Sequence, residues 1–241
     1  MYPYQILPLE TVKNARDLGG YPCAGGVTRF GIFCRCAQMS ECSEADAKFL
    51  TEYGIRSVLD LRSPEELLEL PDAKSLAHLE HCHVDCTVYP LFSEKLPQIL
   101  ADNKSQAECY IDFFTMTESW RNCLHTIAKQ LQRHRGHGLI FHCLEGKDRT
   151  GFLAILLLAL VGCDHLAIAA HYESSATLLD YHRLKEIPDE MYRFYMTHPL
   201  TALTSLDYIE THYGSAERFL LTIGVDEMDI ATIQDAFVEH I

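Results

Sequence analysis

The chain has 241 residues, 48% hydrophobic and 22% charged, which supplies material for one large core and excludes a disordered chain. Its 34 acidic residues against 20 Lys and Arg give a net charge of −14. That balance argues against a nucleic-acid or anionic-membrane surface and leaves room for a local anion pocket.

The opening MYPYQILPLE lacks the basic start and long apolar run of a secretory signal. The ten cysteines are therefore expected as reduced thiols in a soluble cytoplasmic protein. Residues 31–37, GIFCRCA, read as a strand. Ser43 with Asp46 forms a capping-box pair that opens a helix, and Gly54 closes it. IRSVLDL (55–61) is β-branched and apolar, a buried strand. Ser63 caps a second helix, with Pro64 at its first position and Glu65 and Glu66 in the first turn, where the dipole favours anions.

HCHVDCTV (81–88) is expected to be the next strand, with Cys82, Val84 and Cys86 on one face and His81, His83 and Asp85 on the other. Its histidines and cysteines invite a zinc reading, but neither face offers a closed tetrahedral set and no paired CxxC is present. Trp120, Leu124, Ile127 and Leu131 recur at helical spacing, in a helix that ends near Gly136. The basic run RHRGH (133–137) suits a last helical turn. It lies a strand length of about 17 Å from any site at the far end of that strand. GLIFH (138–142) is a fourth strand, and Arg149 to Val161 a buried helix whose most apolar run is about half a membrane span. From Asp164 onward the patterns are helical only, in roughly five segments interrupted near Pro188, Pro199, Gly214 and Gly224. These elements predict one α/β domain over 1–241. It has a central, mostly parallel sheet of four to five strands flanked by helices and a helical part from about 164 to 241.

The stretch HCLEGKDRTG (142–151) separates the two most hydrophobic elements. In an open α/β sheet the turns at the carboxyl ends of strands carry function, and Cys143 stands at such an end. Amides of a tight loop entering a helix point inward with partial positive charge and suit a phosphate-sized anion. Gly146 permits a backbone conformation closed to other residues, and Arg149 can hold two phosphate oxygens with its planar fork. A thiol in that field is ionised more easily, so Cys143 is expected to be a thiolate nucleophile. His142 can fix the loop by hydrogen bonds, and Thr150 can offer its hydroxyl to the sulfur. Lys147 is expected at the mouth, where it could meet a second phosphate. The parts add up to attack of sulfur on phosphorus, with Leu144, Glu145, Gly146, Lys147, Asp148, Arg149 and Thr150 around the phosphate. A lone cysteine after a strand is usually a small buried hydrophobe; six coincident features within ten residues outweigh that reading.

Cys, five residues, then Arg and Thr resembles the signature of cysteine-dependent phosphatases. The full string is similar to the loop of the bacterial tyrosine-phosphatase-like family, whose members also act on phosphoserine, phosphothreonine and phosphoinositides. NARDLGG (14–20), DLRSPEE (60–66), AIAAHYESS (167–175) and YGSAERFL (213–220) resemble further strings of that family, so the likeness covers nearly the whole chain. It implies a tyrosine-phosphatase-like fold and hydrolysis of phosphate monoesters through a cysteinyl-phosphate, with no metal or other cofactor. A phosphotyrosine protein is the first substrate class implied, and an inositol phosphate or phosphoinositide the second. Two residues depart from the pattern: Cys36, where the family has Ser or another small residue, and Glu145, an acid inside the loop.

Arg16, Asp17, Arg62 and Glu66 lie in these strings. Arg–carboxylate pairs bracing the pocket are the first reading for them, and direct substrate contact the second. Gly19 and Gly20 make a turn. Tyr172 and Tyr181 are expected in the core, with a place facing the pocket as the other reading. A leaving group needs a proton. No Trp-Pro-Asp string supplies it, which leaves Asp148 in the loop and Asp85 near the end of the third strand; Asp148 is favoured because its place in the loop does not depend on strand register. Cys34 and Cys36 are core fillers on a strand, with oxidative pairing to Cys143 as the other reading. Two further readings compete with an enzyme of this kind: a phospho-residue binding module, and a sulfur transferase of the rhodanese type. The intact Cys143 and Arg149 speak against the first. Against the second stand Asp148 and Thr150, which would have no role there.

Overall fold

The computed structural model describes residues 5–88, 98–99, 101–102, 105–180, 194 and 196–240. Tyr181 and Pro188 lie outside the described residues. In chain order the strands are β1 (Arg16–Asp17), β2 (Pro22–Cys23), β3 (Gly26–Thr28), β4 (Phe33–Cys36), β5 (Ile55–Asp60), β6 (Glu80–His83), β7 (Gly138–His142) and β8 (Val238–His240). The helices are α1 (Glu44–Tyr53), α2 (Pro64–Glu69), α3 (Gln106–Ile111), α4 (Thr117–Arg133), α5 (Arg149–Leu160), α6 (His165–Leu178), α7 (Pro199–Tyr213), α8 (Ala216–Thr222) and α9 (Glu227–Phe237).

The central sheet runs β1-β4-β7-β5-β6. Its inner pairs are parallel, and only the edge strand β1 is antiparallel. The expected mostly parallel sheet flanked by helices is therefore present. All five residues of β7 are buried, as a central parallel strand covered on both faces requires. Alternation divides the side chains between two cores. Phe33, Leu139 and Phe141 face one that includes α4, α5 and α6; Cys34, Cys36, Val58 and Ile140 face another with Ala47 and Leu50 of α1. Helix α5 is apolar all round because it is sandwiched between the sheet and α6, α7 and α8.

Three expectations are corrected. The Ser43 hydroxyl accepts from the Asp46 amide and Gly54 closes α1 in the left-handed region, but the Asp46 carboxylate turns to the amides of Glu10 and Thr11 at 3.0 and 2.8 Å. The third strand stops at His83, because its partner β5 ends at Asp60; the chain then follows the next loop, with the Cys86 amide donating to the Leu61 carbonyl. The expected alternation of burial nevertheless continues from His81 to Cys86. The C-terminal part is not wholly helical. Val238–His240 adds to β3 in a second sheet, β2-β3-β8, and three residues are too few for a period to show.

Candidate active site

Strand register brings the site together. Cys36 of β4 and Asp60 of β5 both pair with His142, the last residue of β7, so the loops leaving three parallel strands open on one edge of the sheet. That edge is where an open α/β sheet places its ligands.

The loop after β7 is held by its carbonyls. Cys143 O lies 3.2 Å from His142 Nδ1, and Leu144 O accepts from the Gln38 amide at 2.9 Å. Asn14 Nδ2 donates to Glu145 O and Gly146 O at 3.1 and 2.9 Å, and Arg35 Nη2 donates to Gly146 O at 2.6 Å. Tyr110 Oη donates to Lys147 O at 3.4 Å, and the Phe152 amide to Asp148 O at 2.8 Å. In a trans peptide the N–H points opposite to the C=O, so carbonyls tied to the surroundings leave the amides facing the inside of the turn. Among the described residues the amides of Leu144, Glu145, Gly146, Asp148 and Arg149 have no protein acceptor. Asn14 reaches the loop from a left-handed conformation at φ 57°, which Asn tolerates better than most residues. Gly146 has φ +65°, and a Cβ there would lie 2.0 Å from the Cys36 carbonyl oxygen.

Cys143 sits at the base of this turn, 2% exposed. Arg149 begins α5 and meets Glu66 with both arms of its fork, Nη1–Oε2 at 2.5 Å and Nη2–Oε1 at 2.8 Å; Nη1 also donates to Thr87 Oγ1 at 3.0 Å. Glu66 is aimed by the capping box of α2, where the same Oε2 accepts from the Ser63 amide at 2.8 Å. Burial would raise the Glu66 carboxyl, but the bonds and charge of Arg149 outweigh it and hold the group below its usual range. Thr150 is fully buried, and its hydroxyl has no partner among the described residues.

Of the four residues expected in Arg–carboxylate braces, Arg62 and Glu66 form such pairs and Arg16 and Asp17 do not. Arg62 pairs with Asp60 at 2.6 Å and Asp72 at 2.8 Å rather than with Glu66. Asp72 Oδ2 in turn lies 3.4 Å from His142 Nε2 and 3.6 Å from His81 Nδ1. Burial opposes ionisation of Asp72, but His142, His81 and Arg62 overcome it and keep the carboxyl well below the usual range. Asp60, Asp72 and His142 are close enough to share a metal ion, yet Arg62 donates to both carboxylates and supplies the positive charge a cation would bring. Arg16 and Asp17 do not pair. Arg16 donates to Asn14 O, Asn14 Oδ1, His171 O and Ser175 Oγ. Asp17 accepts from the amides of Gly19 and Gly31 and from Tyr53 Oη, and burial still raises its carboxyl to about 6.

Both candidate acids are placed. Asp148 Oδ1 accepts from Tyr110 Oη at 3.0 Å and lies 3.4 Å from Gln106 Nε2; its side chain is 40% exposed. Tyr172, fully buried, donates to Tyr110 Oη at 2.9 Å, so a chain of two tyrosines ends on Asp148. Asp85 is exposed, accepts from the Thr87 amide at 2.9 Å and lines a depression of about 460 Å³ with His83, Glu118 and Asn122. Lys147 is not at the mouth. It is 3% exposed, its ammonium donates to Phe194 O at 2.8 Å, and it stands 3.4 Å from Glu145 and 3.9 Å from Asp148.

Sequence reasoning did not single out Asn14, Arg35, Asp72 or Tyr110. Arg35 had a signal, since a charge inside an otherwise apolar strand is expensive and calls for a reason. The strings NARDLGG and DLRSPEE meet the loop through Asn14 and Glu66, and AIAAHYESS meets Arg16 through His171 and Ser175. YGSAERFL does not; it closes α7 at Gly214, caps α8 at Ser215 and buries Phe219 and Leu220 in the core.

The chain is similar to known proteins. Residues 7–239 match the family described as "Tyrosine phosphatase family". A Cupriavidus necator protein, named as a candidate tyrosine-protein phosphatase, is 33% identical over 181 residues, 70% of this chain and 62% of its own length. A tyrosine-protein phosphatase of Nostoc commune is 27% identical over 84% of this chain and 72% of its own. The triple specificity protein phosphatase PtpB of Mycobacterium tuberculosis is 28% identical over 69% and 68%.

Proposed function

Because the chain belongs to the tyrosine phosphatase family, we propose that it hydrolyses phosphate monoesters on proteins, phosphotyrosine first, with phosphoserine and phosphothreonine within its range. The carrying observation is the loop over residues 143–149, whose carbonyls are tied outward over a buried cysteine and one arginine. The Cys143 thiolate attacks phosphorus, forming an S–P bond as the ester P–O bond breaks. The departing oxygen takes a proton from Asp148, and the inward amides and Arg149 hold the phosphoryl oxygens. Water then attacks the cysteinyl-phosphate, Asp148 takes back a proton, and Thr150 offers its hydroxyl to the leaving sulfur. His142, Arg62, Asp72, Asn14 and Arg16 hold the loop from behind. In this reading residues 1–241 act as one cytoplasmic unit without metal. No helix of the described residues is long and apolar enough to cross a membrane.

A protein substrate is favoured over an inositide. The cation expected to meet a second phosphate, Lys147, is buried and engaged with Phe194, Glu145 and Asp148. The test is a panel of phosphotyrosine, phosphoserine and phosphothreonine peptides beside inositol phosphates, each with and without EDTA. Turnover of phosphotyrosine peptide that EDTA leaves unchanged is expected. Binding without turnover on every substrate would leave only a phospho-residue binding module.

Asp148 is the proposed acid because it belongs to the loop and is steered by Tyr110 and Gln106, whereas the Asp85 carboxylate is turned back to its own chain. Asp148→Ala should lower kcat on an alkyl phosphate at least about tenfold more than on p-nitrophenyl phosphate, whose leaving group needs little help. Equal losses on the two esters would take the role from Asp148 and make Asp85→Ala the next variant to assay.

A further inference from the structure

Two guanidinium groups are buried beneath the loop with no carboxylate bonded to either among the described residues. Arg35 is fully buried and Arg16 is 3% exposed. Nη2 of Arg35 donates to Gly146 O, while its Nε and Nη1, and Nε of Arg16, have no partner among the described residues. The other cations around the turn are matched: Arg149 by Glu66, Lys147 by Glu145 and Asp148, and Arg62 by Asp60 and Asp72. A buried ion without a counter-charge is expensive, so an unmatched pair calls for an anion that forms in place.

The groups facing Arg35 among the described residues include Cys143 from the loop, Cys36 beside it on β4, Tyr110 from α3, Tyr172 from α6, and Tyr21 from the turn after β1. Arg16 of β1 and His171 of α6 lie beside it. The tyrosines are neutral near pH 7: burial raises Tyr110 and Tyr172 well above the ordinary value and also raises Tyr21. His171 is held uncharged by burial and by the two arginines. Burial brings Arg35 itself down to about 10, so it keeps its proton at neutral pH. Burial raises the Cys36 thiol well above its ordinary value too, which leaves Cys143, at the base of the turn, as the anion that the proposed mechanism itself supplies.

We propose that Arg35 is the counter-ion of the Cys143 thiolate, a positioning residue that acts through the nucleophile and does not touch substrate. The inference rests on Cys143 being the nucleophile. Arg149 also lies within electrostatic reach of the sulfur, but its fork is matched by Glu66; Arg35, with no carboxylate bonded to it among the described residues, is the unmatched positive charge beneath the turn.

The test follows the pH dependence of Cys143 alkylation by iodoacetamide, with mass spectrometry to identify the site. Arg35→Gln retains a donor for Gly146 O and loses the charge; Arg35→Lys retains the charge. The Gln variant should shift the alkylation midpoint upward by about one to two pH units, roughly 10- to 100-fold slower reaction on the acid side, while Lys stays within about half a unit of the native chain. A native-like midpoint in the Gln variant overturns the proposal. A native chain whose midpoint is that of a free thiol overturns the nucleophile reading itself, which separates the two failures. Should the Gln variant not fold, the native chain carries the test by NMR. A slowly exchanging arginine Nε–H should shift with the alkylation midpoint and lose that titration in Cys143→Ser; a signal that titrates identically in both chains refutes the pairing.

Discussion

Cys143→Ser is expected to abolish turnover of p-nitrophenyl phosphate, by at least about 10⁴-fold in kcat, because a hydroxyl cannot replace the thiolate as nucleophile in this turn. Binding should survive. The amides of the loop are directed through its carbonyls by Gln38, Asn14, Arg35 and Tyr110, bonds that exchanging Sγ for Oγ leaves in place, and Arg149 keeps its fork. Calorimetry with inorganic phosphate should therefore give a dissociation constant within a few-fold of the native chain. Residual turnover within tenfold of native would exclude a cysteinyl-phosphate on this sulfur.

Arg149→Lys is the second large loss. An ammonium offers one compact charge where the guanidinium offers a planar fork, and in the resting site both arms of that fork are in use on Glu66. The expected fall is about 10²- to 10³-fold in kcat/KM, equivalent to about 3 to 4 kcal/mol of transition-state stabilisation. Stability should change with pH as well. Glu66 has its carboxyl held below the usual range in the folded chain. Its pairing therefore stabilises above the unfolded value and is lost as pH falls through the folded one. In the Lys variant that shift shrinks, so acid unfolding should begin at higher pH than in the native chain. A variant with native kcat/KM would exclude the guanidinium from phosphate binding.

Much of the site was legible in HCLEGKDRTG because its requirements are local. A strand end, a glycine at positive φ, a helix start and an arginine six positions after a cysteine fall within ten residues, and covalent connectivity alone keeps them near one another. The resemblance of NARDLGG and DLRSPEE to family strings flagged Arg16, Asp17, Arg62 and Glu66, but their partners were not legible. Arg62 and Glu66 are four residues apart on one string, yet α2 carries Glu66 to Arg149 while Arg62 stays with Asp60 and Asp72. Lys147 was read as a mouth residue from its place in the loop. The direction a side chain takes from a tight turn depends on the backbone dihedrals and on what covers it, here Phe194, and neither is written in the ten residues.

Periodicity, capping and turn chemistry act over a few residues, so the chain alone specifies the α/β order of elements, the apolar β7 and α5, and the tight turn between them with its cysteine. Folding in three dimensions settles which carboxylate meets which arginine, that Asn14 and Arg35 hold the loop by its carbonyls, and that Arg16 and Arg35 lie buried with no carboxylate bonded to them among the described residues. Those outcomes depend on strand register and on contacts as far as 159 positions apart in the chain. A pattern of types along the chain cannot specify which distant groups meet, because their free energy depends on distance and burial in three dimensions.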